Sequence, residues 1–471
     1  MEFETVVGLE IHAELATKTK IFCGCSTEFG GEQNTHCCPV CTGMPGTLPV
    51  LNKKVVEYAV RAGLAMNCEI AHFSKLDRKN YFYPDLPKAY QISQYDLPLC
   101  KNGYVKLSSG KKIGITRIHI EEDAGKLVHD TAARRTYVDY NRCGVPLIEI
   151  VSEPDIRSPE EAKEFVERVR TILLYAGVSD CRMEEGSLRA DVNLSVRPKG
   201  SDQFGTRTEM KNINSFRAIY RAVENESQRQ IDVILDGGKV EQETRRWDDS
   251  RGESRPMRGK EEANDYRYFP EPDIVPIVLD DKRIEEIRAG LPRLPEVRIA
   301  EYVKNGVSEA DAVIITESRA LSDFYEAIAE KTDYKEAAKW IVGEMMRNLK
   351  ERELEPENIP FGPENLVSII TMCKNGKITA ASGKKVLSML FDEQGETAES
   401  LVEKHSLAVI GDESAIDKTV SEVIAANPKS VADFKAGKEK AIGFLMGQCM
   451  KALRGKADPV KLREKLLKAL K

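Results

Sequence analysis

A chain of 471 residues, 41% hydrophobic and 31% charged, is long enough for about three domains of ordinary size and excludes an intrinsically disordered protein. No apolar run approaches the ~18 residues a bilayer span requires, and the first residues interleave charges with apolar side chains instead of forming a signal-peptide core, so a cytoplasmic location is expected. The net charge of −6 is unevenly spread: residues 401–471 hold 14 basic and 9 acidic side chains, a net of +5, and the preceding 400 carry the remaining −11. A basic tail on an acidic body suits a polyanionic partner, although a solvated helix face gives the same count.

Taken in chain order, Phe3 to Leu15 alternates with a period of two and predicts a half-buried strand. Leu9, Ile11, Ala13 and Leu15 share one face, and Glu10, His12 and Glu14 the other. A cysteine cluster follows, Cys23-Gly-Cys25 and Cys38-Pro-Val-Cys41, with twelve residues between the pairs. In a reducing compartment a clustered quartet reads as a metal site before a disulfide frame. Four thiolates can close a tetrahedral zinc site with no open position, which makes it structural; unligated thiols are the other reading, and His36 and Cys37 are substitute ligands. The stretch Asp77 to Gln91 mixes cations, amides and aromatics between prolines without a clear period and reads as an irregular loop, either ligand-binding or simply well packed.

Within Ile113 to Lys126, His119, Glu121 and Asp123 share a strand face, while Glu122 points with Ile118 and Ile120. Glu149 sits inside the apolar run Pro146 to Val151. Ser158, Pro159 and Glu161 form a helix-start signal, apolar residues then recur at helical spacing, and Gly177 can end the helix. Ser187 to Pro198 alternates as cleanly as the first strand, with Arg189, Asp191, Asn193, Ser195 and Arg197 on its polar face. In Thr206 to Asn212, Glu209 and Lys211 lie together. A second helix is expected from Ser215 to the Gly237-Gly238 pair, and Asp265 to Asp273 resembles the earlier aromatic loop. Two prolines between Leu291 and Pro295 suggest a boundary. The period beyond it is helical, so the fold class is α+β: strand-rich residues 1–292, an all-α domain at 293–400 and a small all-α tail at 401–471.

Carboxylates on half-buried strand faces are costly unless paired or bound to a cation. Several of them with one histidine suit Mg²⁺, which takes oxygen ligands and bridges substrate phosphates; the competing reading is a network of strand salt bridges with Arg117, Arg189 and Arg197. The sequence has no Walker-type loop, protein-kinase signature set or dinucleotide fingerprint, so any use of ATP would run through metal and carboxylates.

Together, Val7-Gly-Leu-Glu-Ile-His12, Asp77 to Gln91, His119-Ile-Glu-Glu-Asp-Ala-Gly-Lys126, Glu149-Ile-Val-Ser-Glu-Pro-Asp155, Met183-Glu-Glu-Gly-Ser-Leu-Arg189, Glu209-Met-Lys-Asn-Ile-Asn-Ser-Phe216 and Asp265 to Asp273 resemble the B-subunit family of the aspartyl/glutamyl-tRNA(Asn/Gln) amidotransferases over the whole chain. The resemblance implies a cradle-shaped N-terminal domain with an ATP-dependent kinase and transamidase site, and helical domains that grip tRNA. It implies an amidase A subunit releasing ammonia from glutamine, a small C subunit, and tRNA(Gln) or tRNA(Asn) carrying Glu or Asp. ATP and Mg²⁺ are the implied cofactors, with structural Zn²⁺ on Cys23, Cys25, Cys38 and Cys41; some family members lack this quartet, so zinc is not essential to the chemistry. Carried onto these positions, Glu10, His12, Glu121 and Glu209 resemble the metal and phosphate group. Glu149 is a weaker member, and Lys211 a counter-charge to phosphate. Glu122 resembles the carboxylate at the mouth of an ammonia channel lined by Lys79 and Lys88. A non-catalytic tRNA-binding scaffold and an unrelated zinc-dependent hydrolase are the alternatives. The carboxylate group argues against the first, and four closing thiolates against the second.

Overall fold

Alternation in the first strand, β1 (Phe3–Glu14), sends Leu9, Ile11 and Ala13 into a buried core and leaves Glu10, His12 and Glu14 on the opposite face. The computed structural model describes residues 2–257, 266–409, 413–435, 438, 440–453, 457 and 459–470. The chain divides into two units, Met1–Leu294 and Pro295–Lys471.

In the first unit the strands after β1 are β2 (Glu69–Ile70), β3 (Phe73–Ser74), β4 (Asp77–Asn80), β5 (Tyr90–Ser93), β6 (Cys100–Lys106), β7 (Lys112–Glu122), β8 (Lys126–Asp130) and β9 (Arg135–Asp139). They are followed by β10 (Pro146–Ser152), β11 (Leu188–Pro198), β12 (Thr208–Ile213), β13 (Thr244–Asp248), β14 (Glu253–Pro256), β15 (Phe269–Pro270) and β16 (Ile277–Val278). A nine-stranded sheet runs β14-β13-β12-β11-β1-β10-β7-β6-β2. It is antiparallel except for the β12–β13 pair.

Helices α1 (Lys53–Ala65), α2 (Pro159–Ala176), α3 (Phe216–Leu235) and α4 (Asp281–Ala289) complete the core of this sheet, the last through Ile284 and Ile287. Val60, Phe165, Val169, Leu173, Ile219 and Val223 from these helices join Leu9, Ile11, Ile118, Ile150 and Val192 from the strands in one buried cluster. Burying each such side chain stabilises the fold by roughly 1.5–3 kcal/mol. The expected helix signals operate. The Ser158 side chain accepts from Glu161 N, Pro159 occupies the first turn, and Gly177 closes α2 in the left-handed conformation at φ 65°. Ser215 caps α3 by accepting from Ala218 N.

The aromatic segments are irregular over most of their described length, as expected, with residues 81–89 outside any strand, but short strands bracket the first and one lies within the second. Asp77–Asn80 and Tyr90–Ser93 pair as β4 and β5, and Phe269–Pro270 adds as β15 to make a three-stranded sheet. Their short strands carry too few alternating apolar residues to show a period, because backbone pairing rather than a buried face holds them. Asp265 lies outside the described residues.

The second unit is helical. One core gathers Tyr302, Leu321, Ile341, Leu366, Leu387 and Leu401. The expected helix across residues 337–346 is interrupted there: Trp340–Met345 is wound as a π-helix between Tyr334–Lys339 and Met346–Glu351. A smaller core joins Ile416, Val420, Leu445, Cys449, Leu462 and Leu466. In the last helix, Pro459–Leu470, Leu462, Leu466 and Leu470 are buried while Lys461, Arg463 and Lys468 are exposed. Arg454, Lys456 and Lys471 lie outside the described residues. No helix among the described residues is long and apolar enough to cross a membrane.

Candidate active site

The face of the large sheet away from the helices carries the polar half of every alternating strand. Antiparallel register lines these residues up. Arg189 on β11 is opposite His12 on β1, His12 is opposite Glu149 on β10, and Glu149 is opposite His119 on β7. Two residues along β1, Glu10 faces Asp191, and two residues farther along β11, Asn193 faces Glu209 on β12. Residues more than 190 positions apart in sequence thus meet on one surface because the register is fixed by the buried face beneath it.

Two groups form. In the first, His12 Nε2 lies 3.5 Å from Glu121 Oε1 and 3.6 Å from Glu149 Oε2. His119 Nε2 is 3.1 Å from the same Glu149 oxygen, and the Ser93 hydroxyl donates to Glu121 at 3.3 Å. Burial opposes charge on both imidazoles, but Glu149 and Glu121 outweigh it, raising the pKa of His12 and pushing that of His119 up to about 9. The paired carboxylates are also desolvated, yet the imidazoles hold Glu121 low and Glu149 well below the usual range. His119 Nδ1 is buried and has no hydrogen-bond partner.

The second group is Glu10, Asp191 and Glu209, each offering an oxygen within 4.8 Å of the others. The Asn193 amide donates to Glu10 at 3.0 Å, and the Thr244 hydroxyl donates to Glu209 at 2.8 Å. Lys211 Nζ reaches Asp191 at 3.3 Å and Glu209 at 3.1 Å. Three carboxylates therefore face one lysine. Burial, and then the charges of Glu149, Glu209 and Asp191, raise the pKa of Glu10. The first group sets two imidazoles, both with raised pKa, against two carboxylates, whereas the second sets three carboxylates against one lysine, the condition that draws in a hard cation.

The four residues expected to form one metal group are thus divided: His12 and Glu121 join Glu149, and Glu10 and Glu209 join Asp191. Asp191 and His119 were visible on polar strand faces but gave no sign of their partners, since only the register places them. Two arginines of the competing salt-bridge network do pair on this sheet, Arg189 directly beside His12. Arg189 Nη1 holds Asp123 at 3.0 Å and Arg197 pairs with Glu4 at 2.7 Å. Within the two groups the carboxylates pair instead with His12, His119 and Lys211.

Glu122 turns away from these groups. It is buried, accepts from Ile92 N at 2.9 Å, and is ion-paired with the buried Lys88. Burial disfavours the charge on Lys88, but Glu122 more than restores it, so its pKa is raised. The pair lines a cavity of about 250 Å³ together with Lys20, Phe22, Cys23 and Cys41. Lys79 is not on this wall; its Nζ lies 4.9 Å from the Tyr266 ring centroid and 5.9 Å from that of Tyr81.

The sulfurs of Cys23, Cys25, Cys38 and Cys41 all lie within 4.8 Å of one another, as four ligands of one tetrahedral ion require. The buried Lys20 donates to Cys41 Sγ at 3.7 Å and Cys38 N donates to it at 3.1 Å. The hydrogen bond from Cys23 is the largest cause lowering the Cys41 pKa to about 4. His36 and Cys37 stand outside the quartet; the Cys37 thiol donates to Asn34 O at 3.1 Å.

Residues 5–285 match the family described as the GatB/GatE catalytic domain, and residues 323–470 match the GatB domain. Among curated relatives, the aspartyl/glutamyl-tRNA(Asn/Gln) amidotransferase B subunit of Caldicellulosiruptor saccharolyticus is 58% identical, covering 100% of this chain and 99% of its own length. That of Ruminiclostridium cellulolyticum is 56% identical over 98% and 96%, and that of Carboxydothermus hydrogenoformans 53% identical over 99% of each. With the catalytic-domain match spanning the sheet that carries both carboxylate groups, and full-length relatives of this identity, the chain belongs to the B-subunit family of the aspartyl/glutamyl-tRNA(Asn/Gln) amidotransferases.

Proposed function

We propose that this chain uses ATP to phosphorylate the side-chain carboxylate of Glu on tRNA(Gln), of Asp on tRNA(Asn), or of both, and that ammonia from a partner amidase A subunit then forms the amide, with a small C subunit completing a heterotrimer. The observation that carries this reading is the polar sheet face, where two carboxylate groups adjoin on one surface. A protein that merely held RNA would face it with lysine and arginine instead.

The chemistry follows from leaving groups. A free carboxylate acylates poorly because oxide would have to depart. In the first step the bond between the γ-phosphorus of ATP and its bridging oxygen breaks, a carboxylate oxygen takes the phosphoryl group, and ADP leaves. In the second, nitrogen attacks the activated carbonyl, phosphate leaves, and the proton from nitrogen passes to a base. Mg²⁺ fits Glu10, Asp191 and Glu209, whose converging donors are all oxygens, with His12, Glu121 and Glu149 beside them; when bound it would offset the phosphate charge. Lys211 sits on the same group and is suited to pair with a phosphate oxygen. Glu122 is placed in a separate, buried cavity, suited to take the proton of incoming ammonium while water is kept from the acyl phosphate. Lys88 holds that carboxylate in place.

The raised pKa of Glu10 gives this site a pH dependence. A proton on Glu10 competes with a divalent cation, so Mg²⁺ or Mn²⁺ affinity is expected to rise with pH through that raised pKa and then level off. Isothermal titration of the assembled complex with Mn²⁺ between pH 5 and pH 8 checks this; pH-independent affinity would count against Glu10 as a ligand.

Zinc on the cysteine quartet is the second metal of this proposal. The purified chain is expected to hold zinc stoichiometrically, and Cys41→Ser to lose it, with faster proteolysis in residues 22–50. Metal analysis and limited proteolysis read both effects. The basic tail is read as a tRNA contact. Deleting residues 413–471, which spares Leu401 and the larger helical core, should weaken tRNA binding and flatten its salt dependence while leaving Mn²⁺ binding in place. The whole proposal is tested by combining the chain with its A and C partners and assaying ATP-dependent amidation of Glu-tRNA(Gln) and Asp-tRNA(Asn) separately; absence of both activities would refute it.

A further inference from the structure

Arg117 lies two residues before His119 on β7 and shares its face, about 7 Å along the strand. Despite the carboxylates nearby, it makes no ion pair or hydrogen bond among the described residues. Its register partner across the sheet is Lys101 on β6, which is exposed and likewise unpaired among those residues, while Arg117 itself is half-buried. Glu69 on β2 flanks Lys101 on its other side in the sheet, and Asp96 on the same cavity wall is ion-paired with Lys75, so among the described residues Arg117 is the cation of this wall left without a counter-charge, a group suited to bind an anion.

Both line a cavity of about 290 Å³ whose other walls include Phe73, Tyr95, Leu97 and Asn102. That volume is at the small end of ligand pockets, which run from ~300 Å³ upward, and fits a nucleoside better than a peptide. Tyr95 is 61% exposed and Phe73 52% exposed, unusual for aromatic rings in a well-packed unit. The Tyr95 ring is nevertheless held in place. It stacks on Tyr268 with centroids 4.3 Å apart and planes 9° from parallel, and its backbone N donates to Asp77 Oδ2 at 3.0 Å. Tyr95 follows by two residues Ser93, whose hydroxyl touches Glu121. Tyr268, on which Tyr95 stacks, lies within reach of the charges of Glu121 and Glu149, so the cavity neighbours the first carboxylate group. A fixed aromatic ring suits a flat base, which stacks with little regard to its identity. An adjoining unpaired arginine suits a phosphate.

We infer that the cavity between Tyr95 and Arg117 binds an adenosine 5′-phosphate, its base on Tyr95 and its phosphate on Arg117 and Lys101. This subsite rests on the kinase reading above and supplies it with a place for its nucleotide. The moiety occurs in both proposed substrates, as the nucleoside end of ATP and as the 3′-terminal adenosine of tRNA. From Arg117 the strand leads directly to His119 and Glu121, so either source would be aimed at the reacting group.

The test uses the assembled enzyme and measures the KM of ATP and of aminoacyl-tRNA separately, the other held saturating, for Tyr95→Ala, Tyr95→Phe and Arg117→Ala. Tyr95→Ala and Arg117→Ala are expected to raise one and the same KM about tenfold or more, the range that loss of a stacked base gives, whereas Tyr95→Phe, which keeps the ring, stays close to the parent. A rise in the ATP KM assigns the cavity to ATP; a rise in the tRNA KM assigns it to the 3′ adenosine. If both KM values are unmoved in variants that melt with the parent, the subsite does not exist. Glu209→Gln separates this failure from that of the kinase reading: loss of ATP cleavage in Glu209→Gln beside unmoved KM values sinks the subsite alone, while full ATP cleavage in Glu209→Gln removes the reading on which the subsite rests.

Discussion

Glutamine in place of Glu122 should abolish amide formation while substrate-dependent ATP cleavage continues. The carboxylate lies in its own buried cavity with Lys88, facing away from the two groups that adjoin on the sheet surface, so the acyl phosphate should still form. What the variant lacks is a proton acceptor, and a missing general base typically lowers rates by about 10²–10⁴. Because Glu122 is buried, the change also leaves the Lys88 ammonium without its partner, and breaking a buried pair costs about 3–5 kcal/mol. The double variant Glu122→Gln/Lys88→Met removes both charges, and its melting temperature should return toward the parent while amidation stays absent. Parallel assays of ADP release and amide product decide the matter: loss of both in a well-folded variant would place Glu122 in the phosphorylating step.

The second large effect is expected at the other end of the chemistry. Glu10→Gln or Glu209→Gln should remove ATP cleavage and amidation together, by roughly three orders of magnitude, about 4 kcal/mol of transition-state stabilisation. Each removes one of three converging carboxylates and leaves the group with little excess negative charge over Lys211. The fold should tolerate both changes, since Glu10 and Glu209 are only half-buried and belong to the polar face. Added ammonium chloride should not rescue them, because the missing step precedes nitrogen attack. Ammonium-driven amidation at the parent rate in Glu10→Gln would remove that residue from the phosphorylating site.

Much of this arrangement is legible in the chain itself. A period of two in Phe3 to Leu15 and in Ser187 to Pro198 names both faces of their strands, and β1 and β11 present those faces as expected. The signals at Ser158, Pro159 and Gly177 bound α2 because capping is local chemistry. Which polar residues meet was not legible, since that depends on register between strands more than 100 residues apart. Asp191 faces Glu10 only because Leu194 and Val7, Val192 and Leu9, Ala190 and Ile11 are also in register. The pairing of the two aromatic segments through β4 and β15 was hidden for a related reason: backbone hydrogen bonds leave no trace in residue type.

The cysteine quartet has a bearing on how ammonia would travel. Cys23 and Cys41 stand on the same wall as Glu122, and Gly43, two residues past Cys41 and left-handed at φ 66°, is pressed so closely to the stem of Lys88 that even a methyl group there would collide with it. A metal that fixes those sulfurs also fixes the bore of any conduit running past them. If the proposed zinc and conduit are both present, stripping the ion should make the conduit leak ammonia to solvent before it unfolds anything.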